Sequence, residues 1–225
     1  MSTVAPARPS GLARWAALGG IGYVVLFIVG VILTDSGAPD FDAPPAKVIK
    51  YYGDSGNRDQ IAIGWILIVI AVFFFLWFLG ALRQLLHRID AEGLLTTLAT
   101  VGGAVYASLT LAGAGLQAGV LTMSDDTYRH QVYPGIIHAA RDASYIIHVS
   151  GGAGAAALII AASLGLLRAR MLPGWAAVLG VIIGVLQLVS VFFIPLILLA
   201  LWIVAASILL FMTASGPREA LPGPD

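Results

Sequence analysis

Hydrophobic residues along this chain come in long unbroken runs, and the charged residues stand between them. A helix needs about 20 apolar residues to cross a hydrocarbon core roughly 30 Å thick. Five stretches meet or approach that length: Trp15–Thr34, Ile61–Leu82, Leu94–Thr122, Ala143–Leu167 and Gly174–Thr213. The last holds 40 residues without a charge, about 60 Å as one helix and twice the core thickness. It must fold back, and Pro195 in VSVFFIP places the turn between Ser190 and Pro195, because proline cannot continue a helix from that side. The pattern predicts an all-α, polytopic membrane bundle of six transmembrane helices, near 15–34, 60–82, 94–122, 143–167, 174–191 and 195–213. Tails 1–14 and 214–225 flank this single membrane domain.

Every Lys, Arg, Asp and Glu falls in a loop, a tail or the end of a span. One side collects the N-terminus, 83–93, 168–173 and the C-terminus. It carries seven arginines (8, 14, 83, 88, 168, 170, 218) against Asp90, Glu92, Glu219 and Asp225, a net +3. The other side carries Lys47, Lys50, Arg58, Arg129 and Arg141 against eight aspartates, a net −3. Positive residues mark the cytoplasmic side, so both termini are expected there. That requires an even number of spans, which supports the hairpin at Pro195 independently. The first apolar run exceeds a signal-peptide core and no A-x-A site precedes Asp35, so a retained helix is expected. Ten arginines against two lysines, with abundant Ala and Gly, point to a GC-rich bacterial genome and hence to a bacterial cytoplasmic (inner) membrane.

Of the 225 residues 59% are hydrophobic and 11% charged, with a mean hydropathy of +0.93. Soluble domains carry roughly 25% charged residues. The composition therefore excludes a soluble enzyme, a disordered chain and a nucleic-acid binder. There is no cysteine, and no G-x-S-x-G, H-E-x-x-H or Walker A motif. No cofactor is expected: bis-histidine haem needs facing histidines at one depth, and His87 stands on the opposite side from His130, His138 and His148. No metal is expected either. Asp125, Asp126 and His130 offer ligands close together, but solvated loop charge is the simpler reading.

The loop after the first span predicts a short helix over AKVIKYYG, with Asp42 as N-cap and Pro44 and Pro45 near its first turn. Val48, Ile49 and Tyr52 would face lipid while Lys47 and Lys50 snorkel, making a lid over the bundle or a gate over a site. Small residues dominate the third and fourth spans. Gly115 and Gly119, like Gly180 and Gly184, form G-x-x-x-G patterns. These are expected to pack helices within the chain, homodimerisation being the alternative. The second span is bulky all round and is expected on the lipid-facing periphery.

Polar groups inside a membrane are costly and usually face the bundle interior, so they are the functional leads. His138, Arg141, Asp142, Tyr145 and His148 fall within one 120° arc if the fourth helix begins before His138. Gln117, His148 and Gln187 each lie roughly 7 Å inside the outer end of their spans. Three polar side chains at one depth suggest an outward-facing ligand pocket, with Tyr106, Tyr145 and Ser190 lining it further. The alternative is that they hydrogen-bond to each other or to carbonyls and tie helices together.

The helix W-A-A-L-G-G-I-G-Y-V, the L-P-G-W start of the fifth span and the terminal P-L-I-L-L-A-L-W-I-V helix resemble a family of small bacterial six-helix membrane proteins filed under a domain of unknown function. The resemblance covers residues 12 to 213. It implies six helices and a bacterial origin, and carries no catalytic residues. The expected role is a non-enzymatic, membrane-embedded binding or accessory subunit. Its partners would be the lipid bilayer, a lipid or small-molecule ligand, a second copy or another membrane protein, and no nucleic acid. A small permease is the alternative, and a membrane enzyme comes third.

Overall fold

The computed structural model describes residues 11–40, 42–124 and 132–215, and all regular structure among them is helical. The order is α1 (Gly11–Asp35), α2 (Pro45–Gly53), α3 (Ser55–Ile89), α4 (Leu94–Ser124), α5 (Pro134–Ser150), α6 (Gly152–Arg168), α7 (Gly174–Leu186) and α8 (Phe193–Ser215). Five helices are long and apolar enough to cross a membrane: Arg14–Asp35, Ser55–Ile89, Leu94–Thr122, the joined α5–α6 rod Pro134–Arg168, and Phe193–Thr213. A shorter apolar helix spans Gly174–Val189. The chain is a membrane-embedded helical protein.

Breaks in the apolar runs have local causes. After α7 a single 3₁₀ turn covers Gln187–Val189, the chain turns at 190–192, and α8 begins at Phe193. Pro195 stands third in α8, where its missing N–H would have had no intrahelical acceptor. The α5–α6 rod bends at Ser150–Gly151. There the Gly151 N–H bonds to the His148 carbonyl, one residue short of the α pattern, and Ser150 Oγ takes the Ile146 carbonyl. α4 is started by Asp90, whose carboxylate accepts from the Thr96 N–H (2.8 Å) and hydroxyl (3.0 Å). These bonds hold the Asp90 carboxyl below the ordinary aspartate value.

α1 lies along α3 and α8; α4 bridges α3, α5 and α6; α7 rests on α6. The core joins Phe75, Phe78, Leu82 and Leu86 of α3 to Leu158 and Ile159 of α6, with Tyr23, Tyr106 and Ile203. This corrects the expectation that the second span is peripheral. One face of α3 supplies the largest buried side chains while Phe73, Phe74 and Trp77 face outward. An all-apolar helix carries no stripe to tell core from lipid, because both environments accept the same residues.

Two seams bring backbones together through paired glycines. A Cβ on Gly30 would lie 2.8 Å from the Gly64 carbonyl, and one on Gly64 2.7 Å from that of Gly30. Gly102 and Gly154 oppose each other likewise, at 2.5 Å in both directions. Gly180 and Gly184 pack on Ser163 and Ile160 of α6, as expected of their pattern. Gly115 and Gly119 do not: nothing lies within 4 Å of either Cβ position, so that pair faces away from the bundle.

α2 lids one end of the bundle. Val48, Tyr51 and Tyr52 are buried against Ile61, Val120 and Ile137, and Ile49 faces outward. Val48 and Tyr52 therefore face protein rather than lipid. The N-cap is Pro44 rather than Asp42, with Pro45 preset for the first helical position. Asp54 caps α3, and Arg58 donates to the last carbonyls of α2, Tyr52 (3.0 Å) and Gly53 (2.9 Å). The lid is thus fastened to α3 at its own C-terminus.

Gly102→Val sets a side chain against an opposing carbonyl that no rotamer avoids. Thermal unfolding in detergent should show a loss of about 1–3 kcal/mol, while Gly115→Ala, with open space, leaves the midpoint unchanged. Asp90→Ala should destabilise the protein at neutral pH. A carboxyl lowered on folding contributes above its unfolded value and loses that contribution as pH falls through the lowered one. The gap between wild type and variant should therefore close in acid, as followed by circular dichroism.

Candidate functional site

The interior polar side chains fall into three groups. The first lies beneath the α2 lid. Arg141 of α5 is buried and donates to the Pro39 carbonyl (2.6 Å), pinning the loop that leads to α2. Its charge acts on Asp35 at the end of α1 and on Tyr51 and Tyr52, and the Gln117 amide meets the Asp35 carboxylate. Tyr51 donates to the Ser36 carbonyl (3.0 Å), and Gln60 caps α1 through the Leu33 (2.9 Å) and Ser36 (3.3 Å) carbonyls. Burial pushes both phenols of α2 above the ordinary tyrosine value, and the Arg141 cation opposes that rise. His138 stands one turn before Arg141, its Nδ1 buried with no hydrogen-bond partner among the described residues. Asp142 is exposed.

The second group is aromatic. Tyr23 of α1 and Tyr106 of α4 share a hydrogen bond of 2.5 Å in the centre of the bundle. The His148 ring stacks on Phe27 (5.6 Å between centroids, 20° between planes) and lies 6.2 Å from Tyr106. The Thr110 hydroxyl sits close enough to act on the Tyr106 phenol, yet outside hydrogen-bonding geometry.

The third group surrounds the turn between α7 and α8. Gln187 is fully buried; its Nε2 donates to the Pro195 carbonyl (2.8 Å) and more weakly to Ile183 (3.4 Å). Tyr145 of α5 donates to Val191 (2.6 Å), and Ser190 to the Val149 carbonyl beside the α5–α6 bend (2.7 Å). Gly152 admits this turn, since a Cβ there would collide with the Gln187 carbonyl and the Ser190 hydroxyl. Meanwhile Val191, Phe192, Phe193 and Ile194 are at least half exposed. In hydrocarbon each unbonded carbonyl of such a turn would cost several kcal/mol. Side-chain donors supply what the helices cannot.

The six residues considered for one pocket fall in these three groups, the aromatic group and the turn meeting at Gly151 and Gly152. Tyr106 and His148 come together in the aromatic group, Tyr145, Gln187 and Ser190 at the turn, and Gln117 belongs to the cap. A hollow of about 30 Å³ beside the aromatic group is bounded by Tyr23, Phe27, Tyr106 and Leu199, room for about one water. A second hollow, about 560 Å³, opens at the opposite end between α1 and α3. No group of three or more His, Asp or Glu side chains converges among the described residues. Asp125, Asp126 and His130 lie outside those residues.

Asp35, Tyr23 and Phe27 entered no sequence argument about the site. A signal existed for Tyr23: a tyrosine in mid-span needs a partner for its hydroxyl, and Tyr106 is the matching tyrosine in mid-span of α4. No family model matches the chain, and no curated protein or solved structure does either. The resemblance drawn from sequence motifs gains no support from them.

If these side chains are ties, Gln187→Leu, Tyr145→Phe and Ser190→Ala should each lower the unfolding midpoint in detergent by about 2–4 °C, the equivalent of about 1 kcal/mol. Unchanged midpoints in all three would reject the tie role.

Proposed function

We propose that the chain is a six-span protein of a bacterial inner membrane, with both termini cytoplasmic, that acts as a non-enzymatic binding or accessory subunit. The sixth span would be Gly174–Val189, about 24 Å long. That is short of a full hydrocarbon core and consistent with an apolar turn that ends in lipid rather than water. Supporting the role is the use of the polar side chains: buried Gln187, Ser190 and Arg141, and exposed Tyr145, each donate to a backbone carbonyl of another segment or of their own turn. Between the helices there is room for about one water at the aromatic group. A small permease is the second reading. It draws on Thr110 Oγ1 and Gln187 Oε1, which are buried without partners among the described residues and are the kind of group a passing solute would meet.

Native mass spectrometry of the protein released from nanodiscs of native lipid separates the two. The subunit reading expects the chain alone, its multiples, or the chain with lipid. A reproducible non-lipid mass, lost in His148→Leu, would overturn it in favour of the permease. Because the chain has no cysteine, orientation can be read from single substitutions at exposed loop positions. Lys50→Cys should react with a membrane-impermeant maleimide in intact cells, and Ala91→Cys only after the membrane is opened. The reverse pattern would invert the topology.

A further inference from the structure

We infer that the hollow between α1 and α3, at the end of the bundle that carries the termini, binds an anionic phospholipid. It measures about 560 Å³, within the range of small-molecule sites. One face of α3 forms its floor. Phe73, Leu76, Trp77 and Gly80 make an apolar trough about 10 Å long, and Arg83, Gln84 and His87 continue it for the next turn. Leu12 and Ala16 of α1 make the opposite wall. Nothing lies within 4 Å of a Cβ placed on Gly80, so the absent side chain is part of the space.

The charge is what singles out the occupant. Arg83, Gln84 and His87 make no hydrogen bond or ion pair among the described residues, in contrast to Arg141 and Gln187. No carboxylate lines the hollow among the described residues. Arg83 is a permanent cation whose planar fork of donors matches phosphate oxygens. An apolar trough that runs into such donors fits an acyl chain and its phosphate head in one direction only, chain toward the membrane centre. The end is also the one with excess arginine, and cytoplasmic leaflets hold the anionic lipids.

This inference rests on the membrane embedding and orientation proposed above. The test uses the full chain in nanodiscs of phosphatidylcholine with a minority of phosphatidylglycerol, with retained lipid identified by native mass spectrometry. Wild type should keep phosphatidylglycerol over phosphatidylcholine by about tenfold, the equivalent of one charge-assisted hydrogen bond. Arg83→Gln with His87→Gln should abolish the preference. Gly80→Leu, which fills open space and does not lower the unfolding midpoint, should reduce retention of the lipid with the charges intact. Equal retention of both lipids by wild type, or an unchanged preference in the double variant, would overturn the assignment. So would displacement of the lipid by inorganic phosphate, or a dimer mass in place of lipid. The maleimide pattern at positions 50 and 91 is read separately, so a wrong orientation and a wrong ligand give different results.

Discussion

Inside a bilayer a backbone carbonyl or amide has no water to turn to, and every departure from regular helix must be satisfied by the protein itself. Two departures meet at one place in this structure. The α5–α6 rod bends at Gly151, and the chain reverses at 190–192 beside it. Ser190 answers the carbonyl of Val149 at the bend, while Tyr145, from the rod, answers Val191 in the turn. Gln187 holds the first residues of α8 through Pro195. Gly152 lets the two irregular segments come close enough for these bonds to form. The bend and the turn are therefore one feature, each supplying donors to the other.

The same constraint is met at the α2 end. α1 ends there with free carbonyls, and Gln60 from α3 takes two of them. Tyr51 and Arg141 hold the following loop at Ser36 and Pro39. Arg141 carries a buried charge, and desolvating a charge is expensive unless it is bonded and compensated. The carbonyl of Pro39 and the nearby Asp35 carboxylate, itself touched by Gln117, meet that need. The lid thus sits over a set of side-chain ties to the backbone.

Helices and charge segregation were legible in the sequence because both follow from the cost of placing charge in hydrocarbon. The reversal near Pro195 was legible from length alone: 40 uncharged residues do not fit one crossing. What was hidden is which faces meet. In water a buried face announces itself by its contrast with a polar one. In lipid Phe75 in the core and Phe74 facing outward are the same residue type one position apart. Likewise Gly102 joins two helices and Gly115 joins none, although both stand in glycine-rich stretches of α4. Depth could be counted for Gln117, His148 and Gln187, but azimuth could not, and azimuth is what assigns them to three separate groups.

Recognition by such a protein has to come from polar groups. Apolar contact cannot distinguish a partner from the lipid it replaces, since hydrocarbon is an equally good neighbour. Any selectivity must then reside in donors and acceptors that folding has not used. Near the α7–α8 turn and under the lid, the charged and amide side chains are engaged with carbonyls of the chain. What remains buried without a partner among the described residues is single atoms: His138 Nδ1 under the lid, and the side-chain oxygens of Thr110, Gln187 and Ser207. At the other end Arg83, Gln84 and His87 stand in sequence along one open face of α3, beside a trough that Gly80 leaves unfilled. Gln60, Arg141 and Gln187 are thus spent on holding the fold, while Arg83, Gln84 and His87 stand beside an open trough with no hydrogen bond among the described residues.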